Sequence, residues 1–379
     1  MHKLRIFSLV GLLGILLLAS ASCSKSNPNA SNGNWIRRED FGGNSRSEAV
    51  GFVIGGAGYI ATGYDFNSFT TPGAQDSLGR YYDLWQYTPD PSQDDTKPGN
   101  WQGSQSQVGP GQTQLDSFPG TPRNSAIAFS IGDTGYIGTG FDGTNYLNDF
   151  WGYNATTNTW TREADFIGGG RYDAVGFSLA GNGYIATGYN GSYLNDCYQY
   201  NPKKGSWSLV AGYPGVKCSQ AVAFVSDDTT AYICTGSSNG NTAVCNQLWA
   251  MTTIPGNPDS ITWTERRHIS NFSTQSYDDQ YAMVRQNAVA FVMGKYAYLT
   301  TGNNGAERVD TWEYDITNDF WYQETSFEGA AREGAVGFTI NIGGLDRGFV
   351  GTGRNGSINT GQWSDFYEWL PFQAYNALD

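Results

Sequence analysis

The chain has 379 residues, 35 of them Asp or Glu against 22 Lys or Arg, giving a net charge of −13 and a pI near 4.5. This balance excludes a nucleic-acid partner, because phosphate binding needs a basic surface and no Lys/Arg run supplies one locally. Fifty Gly, 15% aromatic and 39% apolar residues suit tight turns and flat sheet faces around one large core, so no second folded domain is required.

The first segment reads as a targeting signal. His2, Lys3 and Arg5 form a basic start, Ile6 to Leu18 is an apolar run short for a membrane span, and Ala19-Ser20-Ala21-Ser22-Cys23 follows. A Cys directly after small residues resembles a bacterial lipoprotein processing site, although Ser20 stands where an aliphatic residue is usual. The resemblance implies a signal peptide over 1–22 and acylation of Cys23. Cleavage after Ala21, leaving an unlipidated secreted protein, is the alternative. Residues 23–34 are polar and read as a tether. Without Cys23 four cysteines remain, an even number that suits an oxidising compartment. The expected location is the bacterial cell envelope, lipid-anchored to the outer membrane, with the periplasmic or surface side left open.

From Trp35 onward one pattern recurs six times. An Arg precedes an inner strand ending near a Phe, a Gly-Tyr-Ile run leads to Thr-Gly, an Asp-x-Trp-x-Tyr strand follows, and a lone Trp closes the unit. Copy one has Arg46, Phe52, Tyr59, Thr62-Gly63, Asp83, Trp85, Tyr87 and Trp101; copy five has Arg285, Phe291, Tyr298, Thr301-Gly302, Asp310, Trp312, Tyr314 and Trp321. Each copy holds four short alternating runs broken by Gly, Asn and Asp, which predicts an antiparallel four-stranded unit. No such unit buries both its faces alone, so the repeats predict a radial array. Copy six ends without its lone Trp. Trp35 precedes Arg46 by the spacing that separates Trp160 from Arg171 and Trp321 from Arg332, so the ring is expected to close through the N-terminal strand around Trp35. The fold class is all-β, a six-bladed propeller over 35–379.

These motifs resemble the Kelch repeat, with Thr-Gly in place of the usual Gly doublet, over about residues 35 to 370. The resemblance implies a Kelch-type propeller of the galactose oxidase-like superfamily, similar to lipoproteins of Bacteroidetes-type bacteria, and leaves function open.

Five copies carry the leading Arg (Arg46, Arg123, Arg171, Arg285, Arg332). In copy four the position is Cys218, and the aligned Asp of the third strand is Gln247. The two vanish together, which is the pattern of an ion pair inside each blade: losing one partner is costly, losing both is cheap. The competing reading is an anion-binding ring at the channel mouth. Cys218 and Cys245 are expected near the same corner of copy four, where a disulfide would replace the pair, leaving Cys197 and Cys234 as thiols.

Catalytic options shrink by subtraction. Beyond His2 the chain has one histidine, His268, so the copper site of galactose oxidase, which needs two His, is not expected, and neither a His-based metal site nor any cofactor is implied. No phosphate loop or nucleophile elbow is present. Among enzymes of this type the sialic acid mutarotases remain, since that chemistry needs only a carboxylate and a cation; Glu48 and Glu333, each near a repeat Arg, are the acid-base candidates.

Three loops are longer than their counterparts: Tyr64 to Tyr82, Gln102 to Pro122 and Thr264 to Val284. In a four-stranded blade they emerge on one face, where long loops on a rigid scaffold carry binding. The ligand-binding candidates are Phe66, Phe69, Tyr82, Gln112, Phe118, Arg123, His268, Tyr277, Tyr281 and Arg285, because aromatics among amides suit a sugar or an extended peptide. The expected function is a non-catalytic, lipid-anchored binding or scaffold module for an envelope protein or a glycan. A periplasmic sugar mutarotase is the alternative.

Overall fold

The computed structural model describes residues 33–65, 76, 79–92, 94, 96–104, 114–254, 257–269, 283–356 and 361–376, with backbone alone at 257–259. Cys23, the signal and most of the tether lie outside the described residues.

Strand β1 (Asn34–Arg37) opens the chain. Blade one is β2 (Val50–Ile54), β3 (Ala57–Ala61), β4 (Leu84–Thr88) and β5 (Asn100–Gly103). Blade two is β6 (Ile127–Ile131), β7 (Thr134–Gly138), β8 (Phe150–Asn154) and β9 (Thr159–Arg162); blade three is β10 (Val175–Leu179), β11 (Asn182–Ala186), β12 (Cys197–Asn201) and β13 (Ser206–Val210). Blade four is β14 (Val222–Asp227), β15 (Thr230–Cys234), β16 (Leu248–Ile254) and β17 (Asn257–Glu265); blade five is β18 (Val289–Met293), β19 (Tyr296–Thr300), β20 (Thr311–Asp315) and β21 (Phe320–Glu324). Blade six is β22 (Val336–Ile342), β23 (Leu345–Gly351), β24 (Phe366–Leu370) and, as its outer strand, β1.

The closure expected from Trp35 is present. Trp35 pairs with Trp369, antiparallel and in register, and its ring lies 4.9 Å from the Trp369 ring and 5.0 Å from Phe327. A ring closed by strands from both ends of the domain has no free sheet edge at its seam.

Between blades the core is aromatic. In four blades the Phe of the inner strand stacks on the Tyr of its neighbour, as in Phe52–Tyr59 (5.1 Å, 4°) and Phe177–Tyr184 (5.4 Å, 11°). The residue before that Tyr is Gly in several copies for a steric reason. A Cβ on Gly58 would come within 2.3 Å of Phe338 from blade six, and one on Gly183 within 2.2 Å of Phe129 from blade two. The outer Trp indoles donate across the seam, Trp101 to the Glu39 carbonyl and Trp160 to that of Asp116, both at 3.1 Å.

The repeated Arg is interior in all five copies. Arg123 donates to both Asp149 oxygens at 2.6 and 2.7 Å and to the Thr139 carbonyl at 2.9 Å, and the other four copies hold the same Arg–Asp bridge. Burial alone would raise the Asp149 and Asp310 carboxyls, but Arg123 and Arg285 more than reverse this and hold both below the usual carboxylate range. In four of the five copies an aromatic ring from five residues before the Arg lies 4.9 Å beneath the guanidinium, as Phe118 does under Arg123. Phe118, Arg123 and Arg285, named among the ligand candidates, are therefore blade interior: the two arginines sit in the ion pairs their joint pattern with Asp implied, and Phe118, expected on an exposed loop, is packed beneath Arg123.

In blade four the corner is filled differently. Cys218 and Cys245 are buried free thiols, as are Cys197 and Cys234, so the expected disulfide is not formed in this structure. The two thiols do meet, and a hydrogen bond between them raises Cys218 and lowers Cys245. Neutral thiols in contact replace the ion pair without stranding a charge.

Candidate functional site: the axial funnel

The Arg–Asp corners fix where the chain turns into each inner strand, and the two residues after the Arg enter the mouth of the axis. The second of these, one per blade, is Glu48, Ser125, Asp173, Gln220, Asn287 and Gly334. All six have left-handed backbone, with φ between 50° and 62°. Five are not glycine, a conformation that persists only where the surroundings impose it. What imposes it is a closed collar of hydrogen bonds. Each collar N–H donates to the carbonyl of the collar residue one blade back, at 2.8–3.1 Å, and Glu48 completes the circle on Gly334. The collar surrounds an opening of about 120 Å³, floored by the adjacent alanines. Below it the inner strands line the axis with Ala, Val, Gly and Ser, residues small enough for six strands to converge.

Outside the collar, the residue after each Arg forms an antiparallel bridge with the residue after each Thr-Gly: Ser47–Tyr64, Asn124–Phe141, Tyr172–Tyr189, Ser219–Ser237, Gln286–Asn303 and Glu333–Arg354. These pairs divide the funnel wall. Blades two and three contribute an aromatic arc in which Phe141, Tyr146, Tyr172 and Tyr189 touch at 5.4–6.2 Å and Tyr193 adds a further ring, while Arg80 of blade one lies 5.3 Å from the Phe141 ring. Blades four to six contribute hydroxyl, carboxamide, carboxylate and guanidinium groups.

Charge concentrates where blade six meets blade one. Arg354 lies between two carboxylates, 3.1 Å from Glu48 and 3.2 Å from Glu333, and also donates to the Tyr64 hydroxyl. Glu48 accepts from the Asn124 amide and the Ser125 hydroxyl, each at 2.7 Å. One guanidinium neutralises one carboxylate, and the remainder respond to burial. Desolvation, with the Glu48 charge beside it, lifts Glu333 to about 7 and holds Asp173 well above the usual range. The Gln362 carboxamide donates to the Tyr64 carbonyl at 3.1 Å, while its oxygen is buried without a partner among the described residues. The site thus has an arc of mutually tilted aromatic rings on one side, polar groups facing it, and a carboxyl group able to take or give a proton near neutrality.

Glu48 and Glu333, chosen from sequence as the acid-base candidates, are brought together here. Tyr82 is half-buried against the core of blades one and two. His268 lies beyond the end of β17 in contact with Glu265 at 2.8 Å. Phe66, Phe69, Gln112, Tyr277 and Tyr281 fall outside the described residues. Sequence reasoning missed Asp173, Arg354, Tyr64, Phe141, Tyr172 and Tyr189. The available signal was their position: each sits immediately beside an invariant repeat residue yet differs from copy to copy.

The fold and site define a six-bladed β-propeller with an asymmetric carboxylate-bearing funnel. No protein-family model matches the sequence, and no curated protein matches it. Among solved structures the chain is similar to one described as "Structure of YjhT", with a TM-score of 0.63 and 14% identity over 87% of this chain and 95% of that one. Likeness at this identity speaks to the propeller fold.

Proposed function

We propose that the protein is a glycan-binding propeller of the bacterial envelope, held by an acylated Cys23, whose ligand sits in the axial funnel. The observation that carries this reading is the divided wall: a sugar ring has apolar faces that stack on aromatic rings and an equatorial rim of hydroxyls that bond amides and carboxylates, and the funnel offers one to each side. The sequence spacing sets the three long loops on the same end of the blades, where they would extend the contact surface. An envelope-protein partner, set beside a glycan in the sequence reading, finds less support in so narrow an opening. A titration calorimetry screen of mono- and oligosaccharides against the protein and a Tyr189→Ala variant tests the proposal; binding that ignores Tyr189, or no binding to any saccharide, counts against it.

A second reading, sugar mutarotation, is favoured by one observation. Glu333 titrates near 7 beside Arg354, the pairing that ring opening of a sugar requires, with one group exchanging the proton and the other steadying the oxygen. Anomer-exchange NMR on any sugar that binds separates the two: a rate above the uncatalysed one that is lost in Glu333→Gln establishes turnover.

A further inference from the structure

The face opposite the funnel carries a second feature. Where blades five and six meet, a cavity of about 520 Å³ lies between the β18–β19 and β22–β23 turns and the segment after β24. Its walls include Met293, Tyr296, Tyr298 and Leu370, and its rim includes Leu345 (46% exposed) and Phe372 (77% exposed). Tyr375, 55% exposed, is close by, because the Asn376 amide donates to the Asn34 side chain at 2.9 Å. Single exposed apolar residues are ordinary, but two large ones at the lip of one cavity with a third close by are a surface feature. The floor is a buried triad in which Arg38 and Arg347 grip Glu368 at 2.5–2.8 Å, and Lys295 and Asp346 also line the opening.

The chain enters the fold at this corner. β24 runs from the Asp365 corner on the funnel side to Leu370, and Asn34 pairs with Leu370, so β1 starts on the face away from the funnel. Residues 23–33 reach at most about 35 Å when extended. On the acylation of Cys23 proposed above, this corner is where the tether meets the domain and lies within that distance of the lipid surface. We propose that the blade five–blade six corner is a membrane-docking surface: Leu345, Phe372 and Tyr375 rest in the leaflet that holds the anchor, and the funnel opens away from it. The occupant is a zwitterionic phospholipid leaflet. Three cations (Arg38, Lys295, Arg347) and two carboxylates (Asp346, Glu368) line the cavity, close to balance, which suits a zwitterionic surface.

The test does not depend on natural acylation. The ring closes within residues 34–370, so chain 23–379 contains the whole fold. The other four cysteines are buried, so Cys23 can be coupled to a maleimide phospholipid in phosphatidylcholine vesicles. Hydrogen exchange is then compared between vesicle-coupled and uncoupled protein. The expected result is several-fold slower exchange in 341–347 and 369–376, no change in 187–194 on the funnel face, and loss of that protection in Leu345→Asp with Phe372→Asp at unchanged thermal stability. Equal exchange in the two states, as would follow if residues 23–32 themselves cover the corner, overturns the proposal. So does protection of 187–194, or protection that survives both substitutions.

Discussion

Arg123 and its neighbours Asn124 and Ser125 lie in one short segment, yet they obey opposite rules. At the first position five blades keep the same residue; at the next two no residue type occurs in more than two blades. The first side chain points into the blade, where it satisfies a carboxylate, a carbonyl and an aromatic face together. The other two reach the funnel wall and the collar, where the backbone supplies the architecture and the side chain is free to differ. Repetition therefore marks what builds the ring, and departure from it marks what the ring presents.

The sharpest way to break this comparison is to remove an interior partner. Asp310→Ala leaves Arg285 buried without its carboxylate and the Trp312 indole without its acceptor, and is expected to cost about 3–5 kcal/mol in urea unfolding. A loss below about 1 kcal/mol would mean that the repeated pair is dispensable and that its recurrence has another cause. Replacing both partners sharpens the point. Arg285→Met with Asp310→Leu is expected to cost less than Asp310→Ala alone, because no charge is stranded, and this is what blade four does with Cys218 and Gln247.

At the funnel the expected effects on stability are smaller and depend on pH. Glu333 has a folded-state pKa raised above its ordinary 4.5, to about 7, so the folded state binds the proton more tightly than the unfolded one. Stability should then be highest below about pH 4.5 as far as this group is concerned, and fall as pH rises through 7, by on the order of 2 kcal/mol. Glu333→Gln should flatten that part of the profile and leave the variant more stable than the parent at pH 8. Unfolding curves collected from pH 4 to 8 check this, and a wild-type profile that rises across the window would contradict it. The smallest effect belongs to the aromatic arc. Tyr189→Ala should weaken saccharide binding by about 2–10-fold while shifting stability by no more than about 0.5 kcal/mol.

Much of the fold was legible in the chain because the blades repeat their constraints: the Arg and Asp, missing together only from copy four, the Thr-Gly turn and the lone Trp recur in the same order. Even the closure could be read, since the Trp missing from copy six reappears as Trp35. The site was legible only in part. Glu48 and Glu333 stood out as carboxylates beside repeat arginines. Asp173 and Arg354, 181 positions apart in the sequence, offer no local sign that they share one opening. Phe118 was misread for the converse reason: a long loop suggested exposure, while its register five residues before Arg123 places the ring beneath the guanidinium.

By itself, then, the sequence determined the repeat, the number of blades and the pairing that joins Trp35 to the last of them, because those depend on periodic local contacts that every copy restates. Only the tertiary structure decided which variable positions form one wall, how one guanidinium is divided between Glu48 and Glu333, and that Glu333 titrates near neutrality. Those properties arise when six separate segments converge on an axis. Burial and charge there are sums over blades, and no single blade encodes them.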